Sequence, residues 1–176
     1  MGAKSFGGNM AALEAGVRAP EIELSLLDGS KFSLSEARKL GPVVAAFFKV
    51  NCPTCQLAFP YLDRIFKAYS QSGKVTLVGI SQNEADFTEA FRRKFGVTLP
   101  MALDVEENGY PASNAYGLTN VPSVFLISPG GEIELSSVGW AKTEMEELSR
   151  KLAVWSSTAP AEIFRAGENV PEFKPG

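Results

Sequence analysis

The chain has 176 residues, of which 45% are hydrophobic and 21% are charged, a composition typical of one soluble globular domain. Its 17 basic and 20 acidic residues give a net charge of −3 and form no basic patch, so neither nucleic-acid binding nor binding to an anionic membrane is indicated. The absence of histidine, together with only two cysteines, excludes His-ligated metals, Ser-His-Asp triads and disulfide-stapled secreted scaffolds.

The first residues of the chain carry no clear hydrophobic period. Residues 1–18 are rich in Gly and Ala, and we expect a flexible amino-terminal arm there. The arm lacks the apolar core of a secretory signal, and no apolar run approaches the ~20 residues that span a bilayer. We therefore expect no membrane span and a cytoplasmic location for the chain as given, or an extracytoplasmic one if a leader has been removed.

The first regular elements are a hairpin and a short helix. Apolar and polar residues alternate over residues 21–26, Asp28-Gly29 signals a turn, and residues 31–33 form the second strand of the hairpin. A capping box then opens a brief helix over 34–40.

A buried strand, a cysteine motif and a long helix follow. Residues 43–48 are continuously apolar, as in a strand that is buried on both faces. The sequence Cys52-Pro53-Thr54-Cys55 comes next, and residues 53–72 then carry one apolar stripe at spacings of three and four. Pro60 falls inside this predicted helix and should kink it.

The second half of the chain adds strands and two helices. Strands are predicted over residues 75–80, 124–127 and 133–138. Three phenylalanines between residues 87 and 95 mark a helix that Gly96 ends, and a second capping box, Thr143 with Glu146, opens the last helix. The stretch 97–118 is less regular.

The order of these elements predicts the architecture. Strands alternate with helices first, and a strand–turn–strand unit with a helix closes the domain, which favours an α/β fold with a mixed sheet and helices on both faces. We place this domain at residues 19–155 and expect residues 156–176, with three prolines and little period, to form a surface-lying carboxyl-terminal tail.

The cysteine motif is the part of the sequence that carries chemistry. Cys52 would lie at a helix amino terminus, where unsatisfied N–H groups and the helix dipole favour a thiolate, the nucleophile of disulfide exchange. Cys55, one turn later, could attack the mixed disulfide and release the partner. A zinc site would need further ligands that the sequence lacks, whereas two buried structural thiols remain an alternative.

Several motifs together resemble the thioredoxin superfamily. Within its redoxin, or AhpC-TSA, group, the chain is similar to the ResA/TlpA-type thiol–disulfide oxidoreductases. The motifs are the strand 43–48 before the cysteines, Phe59-Pro60-Tyr61, the segment Tyr116–Pro122, and Pro129–Glu132 followed by Val138-Gly139. The resemblance implies a thioredoxin-like fold with a mixed central sheet flanked by helices on both faces and an amino-terminal β-hairpin extension.

The resemblance also implies which residues meet the substrate. It implies that the Val121–Pro122 bond is cis and lies beside the cysteines, with the Val121 backbone free to pair with an extended substrate segment. Pro53, Thr54, Val121 and Pro122 are the substrate-binding residues that we predict.

The chain departs from the family pattern near the cysteines. Relatives often have Trp where Asn51 precedes the motif, and they place a carboxylate at one of the positions held here by Ala46 and Ala58. Proton transfer from Cys55 must then use water, Lys49 or a group that the sequence does not locate.

We predict a thiol–disulfide oxidoreductase in which Cys52 attacks and Cys55 resolves. Its partners would be protein disulfides or dithiols and an electron-donor or electron-acceptor protein. No Gly-rich dinucleotide fingerprint appears, so we expect no bound nicotinamide or flavin cofactor and expect the electrons to come from a partner. We also expect no metal, since histidine and a second CxxC are lacking, and we expect a monomer.

Two other functions remain open at this stage. The hairpin region 19–33 also resembles peroxiredoxins, thiol peroxidases that have a threonine where Lys49 precedes Cys52 here. A thioredoxin-fold binding module, with the two cysteines as a structural disulfide, is the third reading.

Overall fold

The apolar run of residues 43–48 forms a strand that is buried on both faces, and the sheet extends outward from it. The computed structural model describes residues 12–176. Within that range the strands are β1 (Glu23–Leu26), β2 (Lys31–Ser33), β3 (Val43–Phe48), β4 (Thr76–Ser81), β5 (Met101–Leu103), β6 (Ser123–Ile127), β7 (Ile133–Val138), β8 (Trp140–Ala141) and β9 (Phe173–Lys174). The helices in the same range are α1 (Leu34–Ala37), α2 (Pro53–Tyr69), α3 (Ala85–Phe95), α4 (Pro111–Ala115) and α5 (Lys142–Trp155).

Strands β1 to β7 form one mixed sheet in the order β2-β1-β5-β4-β3-β6-β7. Strand β3 is parallel to β4, because the connection between them crosses one face through α2, and it is antiparallel to β6. Strand β5 is parallel to β4 and antiparallel to β1, which joins the β1–β2 hairpin to the sheet. The predicted mixed sheet with an amino-terminal hairpin is confirmed.

Helices cover both faces of the sheet, as predicted, and each face has its own apolar core. On the face covered by α2, α3 and α5, Phe48 packs against Phe59 and Phe91, with ring centroids 4.2 and 4.9 Å apart. On the face covered by α1 and α4, Phe47 packs against Tyr116 at 5.4 Å. Phe47 and Phe48 reach opposite cores because successive residues of a strand point to opposite faces.

Helix α2 begins at the cysteine motif. Cys52 is its N-cap, with an extended backbone, and Pro53 occupies the first turn, where its missing N–H removes no helical hydrogen bond. Pro60 lies inside the helix, as predicted. The helix ends at Tyr69, and residues 70–72 continue as a 3₁₀ turn, so the predicted length is correct only if that turn is included.

Three short elements lie in the stretch 97–118, where no regular structure was predicted: β5, a 3₁₀ turn over Glu106–Asn108, and α4. Strand β5 forms because it pairs with β4 and β1, which are distant in the sequence. Helix α4 is capped by the buried carboxylate of Asp104, which accepts the N–H groups of Ala112 at 2.9 Å and Ser113 at 2.8 Å. Neither a distant strand partner nor a distant cap leaves a periodic pattern in the sequence.

The capping box predicted for α5 is wrong. Thr143 and Glu146 lie inside the helix, and the N-cap is Ala141, whose side chain makes no capping bond. The reason is tertiary, because Ala141 is also the last residue of β8. Its pairing with Phe173 holds the backbone extended, and the helix starts directly afterwards.

The amino-terminal segment lies against the domain as far as the structure describes it. The part of the predicted flexible arm at residues 1–11 lies outside the described residues. Residues 12–18 follow the sheet, and the Leu13 N–H donates to the Tyr116 carbonyl at 3.1 Å. This segment is held by backbone hydrogen bonds, which hydrophobic periodicity does not reveal.

The tail of residues 156–176 crosses the surface formed by α2 and α5. Ile163 is buried there, and Arg64 of α2 donates to its carbonyl at 2.8 Å. Further along, the tail pairs with β8 as strand β9, beside the cysteine motif. No helix in the described part of the chain is long and apolar enough to cross a membrane.

Candidate active site

Cys52 follows the carboxyl end of β3 and caps the first turn of α2. Its Sγ accepts a hydrogen bond from the backbone N–H of Cys55 at 3.2 Å. The positive end of the helix dipole points at the same sulfur. The Cys52 sulfur therefore lies at the helix terminus, where it accepts one of the backbone N–H groups that have no partner within the helix.

A second backbone feature reaches Cys52 from the start of β6. The Val121–Pro122 peptide bond is cis, as the resemblance implies. Because β6 is the neighbour of β3 in the sheet, this bond lies beside the cysteine, and the Cys52 Sγ donates to the Val121 carbonyl at 3.4 Å. The structure thus brings Val121 and Pro122 to the cysteine motif.

Cys55 lies one turn further along α2 and is fully buried. Burial raises the pKa of its thiol strongly, and a hydrogen bond with Cys52 raises that pKa further. The backbone and the charge of Lys49 act in the opposite direction and more weakly. Both cysteines are free thiols in this structure. The pair therefore combines a half-buried sulfur on a helix cap with a shielded, protonated one behind it.

Alanine occupies both positions at which a carboxylate could have accepted the Cys55 proton. Ala46 of β3 and Ala58 of α2 are each 2% exposed and belong to the same apolar core as Cys55. Lys49 is a charged side chain that acts on the Cys55 thiol, and it lies at the exposed end of β3. These apolar surroundings are the burial that raises the pKa of the Cys55 thiol.

The two residues between the cysteines differ sharply in exposure. Pro53 is exposed, whereas Thr54 is buried beneath the tail of the chain. The Thr54 hydroxyl donates to the Pro175 carbonyl at 2.6 Å. On the other side of the motif, the Asn120 amide donates to the Gly176 carbonyl at 3.3 Å.

The Val121 carbonyl is occupied, contrary to the expectation that it would be free for a substrate. It accepts from the Cys52 Sγ, and Gly176 lies directly against it. Sequence reasoning missed the tail residues of the site, Pro175 and Gly176, since β9 has only two residues and shows no period.

A polar cavity of about 130 Å³ opens next to the Val121–Pro122 bond. It is lined by Lys49, Gln82, Leu118, Thr119, Asn120 and Val121. Residues 12–176 contain no cluster of three or more His, Cys, Asp or Glu side chains that could hold a metal ion.

Comparison with known proteins identifies the family of this chain. The sequence profile of the AhpC/TSA family matches residues 15–136. The chain belongs to the AhpC/TSA family. It is 30% identical over 124 residues to the thiol-disulfide oxidoreductase ResA of Geobacillus thermodenitrificans, an alignment that covers 70% of this chain and 68% of that protein. ResA of Halalkalibacterium halodurans is 27% identical over 144 residues, which cover 81% of this chain and 79% of that protein.

Solved structures share the fold of this AhpC/TSA family member. A putative protein disulfide isomerase from Bacteroides thetaiotaomicron superposes with a TM-score of 0.76 at 22% identity, covering 84% of this chain and 95% of that one. A putative thiol:disulfide interchange protein DsbE from Chlorobium tepidum gives a TM-score of 0.70 at 23% identity, covering 82% and 99%. The predicted thioredoxin-like fold is confirmed.

The family match and the ResA relatives also show the class of enzyme to which this chain belongs. This AhpC/TSA family member is a thiol–disulfide oxidoreductase, similar to ResA, as the sequence predicted. The geometry of Cys52 and Cys55 indicates how it would work.

Proposed function

We propose that the enzyme exchanges electrons with protein disulfides, with Cys52 as the attacking thiolate and Cys55 as the resolving thiol. The observation that carries this proposal is the asymmetry of the pair. The Cys52 sulfur caps α2 and accepts a backbone N–H, whereas Cys55 is fully buried one turn behind it. The Cys52 sulfur is therefore the one that a protein partner can reach.

The first step forms a mixed disulfide. The Cys52 thiolate attacks one sulfur of the partner's disulfide, a Cys52–partner S–S bond forms, and the partner's own S–S bond breaks. The second partner sulfur leaves as a thiolate. The backbone N–H of Cys55 and the helix dipole stabilise the Cys52 thiolate before the attack.

The second step releases the partner. Cys55 gives its proton to the partner thiolate formed in the first step, directly or through water, and its sulfur then attacks the Cys52 Sγ. The Cys52–Cys55 disulfide forms, the mixed disulfide breaks, and the partner leaves reduced by two electrons. Because burial raises the pKa of Cys55, this proton transfer is the demanding part of the cycle. The same steps in reverse oxidise a partner dithiol.

Four residues shape the surface on which a partner would dock. We assign this role to Pro53 and Thr54, which follow Cys52 in the first turn of α2, and to Val121 and Pro122, whose peptide bond carries the carbonyl that contacts the Cys52 sulfur. After each reaction a second protein would return the cysteine pair to its starting redox state, as electron donor or as electron acceptor. An extended partner segment suits this surface, because the Val121 backbone presents a carbonyl beside the sulfur.

The direct test is to trap the mixed disulfide. Incubated with insulin, the Cys55→Ser protein should accumulate a covalent adduct through Cys52, whereas the Cys52→Ser protein should form none. The unaltered reduced protein should reduce insulin and end with a Cys52–Cys55 disulfide. No insulin reduction and no adduct would contradict the proposal. Rapid peroxide consumption that survives Cys55→Ser would contradict it in favour of a peroxidase.

A further inference from the structure

The tail is tied to the domain before it reaches the cysteines. Arg64 of α2 forms two hydrogen bonds of 2.7 Å with the carboxylate of Glu168. This ion pair lowers the pKa of Glu168 to about 2, so the carboxylate stays charged, and the ion pair persists, even in mildly acidic solution. Phe164 packs nearby on Tyr61 and Trp140, with ring centroids 5.2 and 5.9 Å apart. These contacts direct the following residues toward the active site.

Beyond this anchor the tail adds to the domain as an antiparallel strand. In the β8–β9 pair, Trp140 lies opposite Lys174 and Ala141 opposite Phe173. The Trp140 indole N–H donates to the Pro171 carbonyl at 2.7 Å. Strands β8 and β9 form a small two-stranded sheet of their own, apart from the seven-stranded one, and their antiparallel backbone pairing is the kind by which an extended peptide can add to an exposed strand.

The glycine before β8 allows this close approach. Gly139 has a φ of 77°, in the left-handed region. A β-carbon at this position would lie 2.8 Å from the Lys174 carbonyl oxygen, closer than real contacts allow. The missing side chain at Gly139 therefore lets the Lys174 backbone lie directly against the start of β8.

The end of the strand lies on the groups that surround the Cys52 sulfur. The Pro175 carbonyl accepts a hydrogen bond from the Thr54 hydroxyl. Gly176 lies against the Val121 carbonyl, and the Cys52 Sγ lies 3.4 Å from that same carbonyl oxygen. The tail thus covers two of the residues that we assign to substrate docking.

The last residues of the tail are held only weakly where they lie over the cysteine motif. Residues 171–176 are all exposed, including Phe173, whose side chain is 64% exposed. The segment buries little apolar surface and depends mainly on a few backbone hydrogen bonds, which is the pattern of segments that open locally at low cost in free energy.

We propose that residues 171–176 occupy the docking groove as an extended, substrate-like strap, and that a partner protein reaches Cys52 by displacing them. The partner's cysteine-bearing segment would take the place of the tail, pairing with β8 and accepting the Thr54 hydroxyl. A small disulfide needs no such groove and would react past the strap. This inference rests on the proposed function, because it assumes that Cys52 meets protein disulfides.

The test loosens the anchor without touching the cysteine motif. Glu168→Gln removes the ion pair with Arg64, and Glu162→Gln, an exposed glutamate of the same tail, is the matched control for charge. Glu168→Gln should shift the NMR signal of the Trp140 indole N–H, because its bond to Pro171 is released. It should also raise the rate of insulin reduction about threefold or more, since a larger fraction of molecules has an open groove. The rate with hydroxyethyl disulfide should change less than about twofold, and the control should match the unaltered protein in all three measurements.

Three outcomes would count against the strap. A shifted Trp140 signal with an unchanged insulin rate would show that the tail leaves without effect on partners. An equal gain with insulin and hydroxyethyl disulfide would show a change in Cys52 reactivity and not in docking. If Glu168→Gln changes nothing, Gly176→Ala is the second variant, because a β-carbon there would collide with the Val121 carbonyl. An unchanged Trp140 signal in both variants would overturn the inference. Failure of every protein, the unaltered one included, to reduce insulin would instead contradict the proposed function.

Discussion

At the scale of single residues, the two cysteines differ because of what surrounds each sulfur. The Cys52 sulfur accepts a backbone N–H and lies half-buried at a helix end. Cys55 lies in an apolar core, to which Ala46 and Ala58 contribute no ionisable group. An attacking sulfur and a resolving sulfur are thus distinguished by position alone, before any partner binds.

This difference should appear in the reaction with an alkylating reagent. At neutral pH, iodoacetamide should modify Cys52 of the reduced protein and leave Cys55 as a thiol, because burial both shields Cys55 and raises its pKa. Mass spectrometry of the digested protein would identify the modified residue. In urea both cysteines should react. Equal labelling of the two in the folded protein would contradict this account of the pair.

Lys49 should affect the resolving step more than the attack. Its charge favours the Cys55 thiolate, so Lys49→Gln should raise the pKa of Cys55 further and lengthen the lifetime of the mixed disulfide about two- to fivefold. Rapid-quench analysis of the insulin adduct would measure that lifetime. Lys31→Gln, the same change of charge on the edge strand β2, is the control and should have no effect. A lifetime that is the same in both variants would exclude a role for Lys49.

At the scale of elements, helix α2 is the part that carries the site. The buried carboxylate of Asp63, in its middle, accepts the N–H groups of Thr98 and Leu99 at 2.8 and 2.9 Å. These bonds join the helix to the segment leading into β5. The orientation of the cysteine motif therefore depends on a polar contact far from the sulfurs.

Removing this carboxylate should weaken the fold. Asp63→Asn exchanges a charged acceptor for a neutral amide and should lower the free energy of unfolding by about 1–3 kcal/mol. Urea denaturation of the reduced protein measures the change. Glu36→Gln, which removes an exposed ion pair with Lys39, should cost less than about 0.5 kcal/mol. If the two variants were equally stable, Asp63 would not hold α2 in place.

The elements that sequence reasoning found are those whose own residues specify them. The apolar run of β3, the stripe of α2 and the turn before β7 each leave a local pattern, and with the CPTC motif they were enough to predict the sheet and the cysteine pair. Strand β5, helix α4 and strand β9 depend on distant partners and left no pattern. The false capping box at Thr143 has the same cause, because pairing of β8 with the tail fixes where α5 begins.

At the scale of the whole molecule, Cys55 links the stability of the fold to pH. The folded protein keeps the Cys55 proton above pH 9.0, its ordinary pKa, whereas the unfolded chain releases it. The unfolded state then binds fewer protons, so stability falls as the pH rises. The contribution is complete below pH 9.0 and is lost progressively above it.

This linkage predicts a difference between the two redox forms. Between about pH 8 and pH 10, the free energy of unfolding of the reduced protein should fall more steeply than that of the oxidised one, by up to about 1.4 kcal/mol per pH unit. Burial also raises the pKa of Tyr116. Because Tyr116 contributes equally to the stability of the reduced and the oxidised protein, its contribution cancels in the difference between them. Urea denaturation with and without reductant gives the two curves. Parallel curves would mean that Cys55 ionises as easily in the folded protein as in the unfolded chain.

The reduction potential of the Cys52–Cys55 couple tests the central claim most directly, because it compares the oxidised and reduced forms of the entire molecule. It can be measured by equilibrating the protein with dithiothreitol buffers of known potential and separating the two forms by thiol labelling. An exchanging pair should have a potential between about −270 and −120 mV. A value below about −300 mV would identify a structural disulfide and contradict the account.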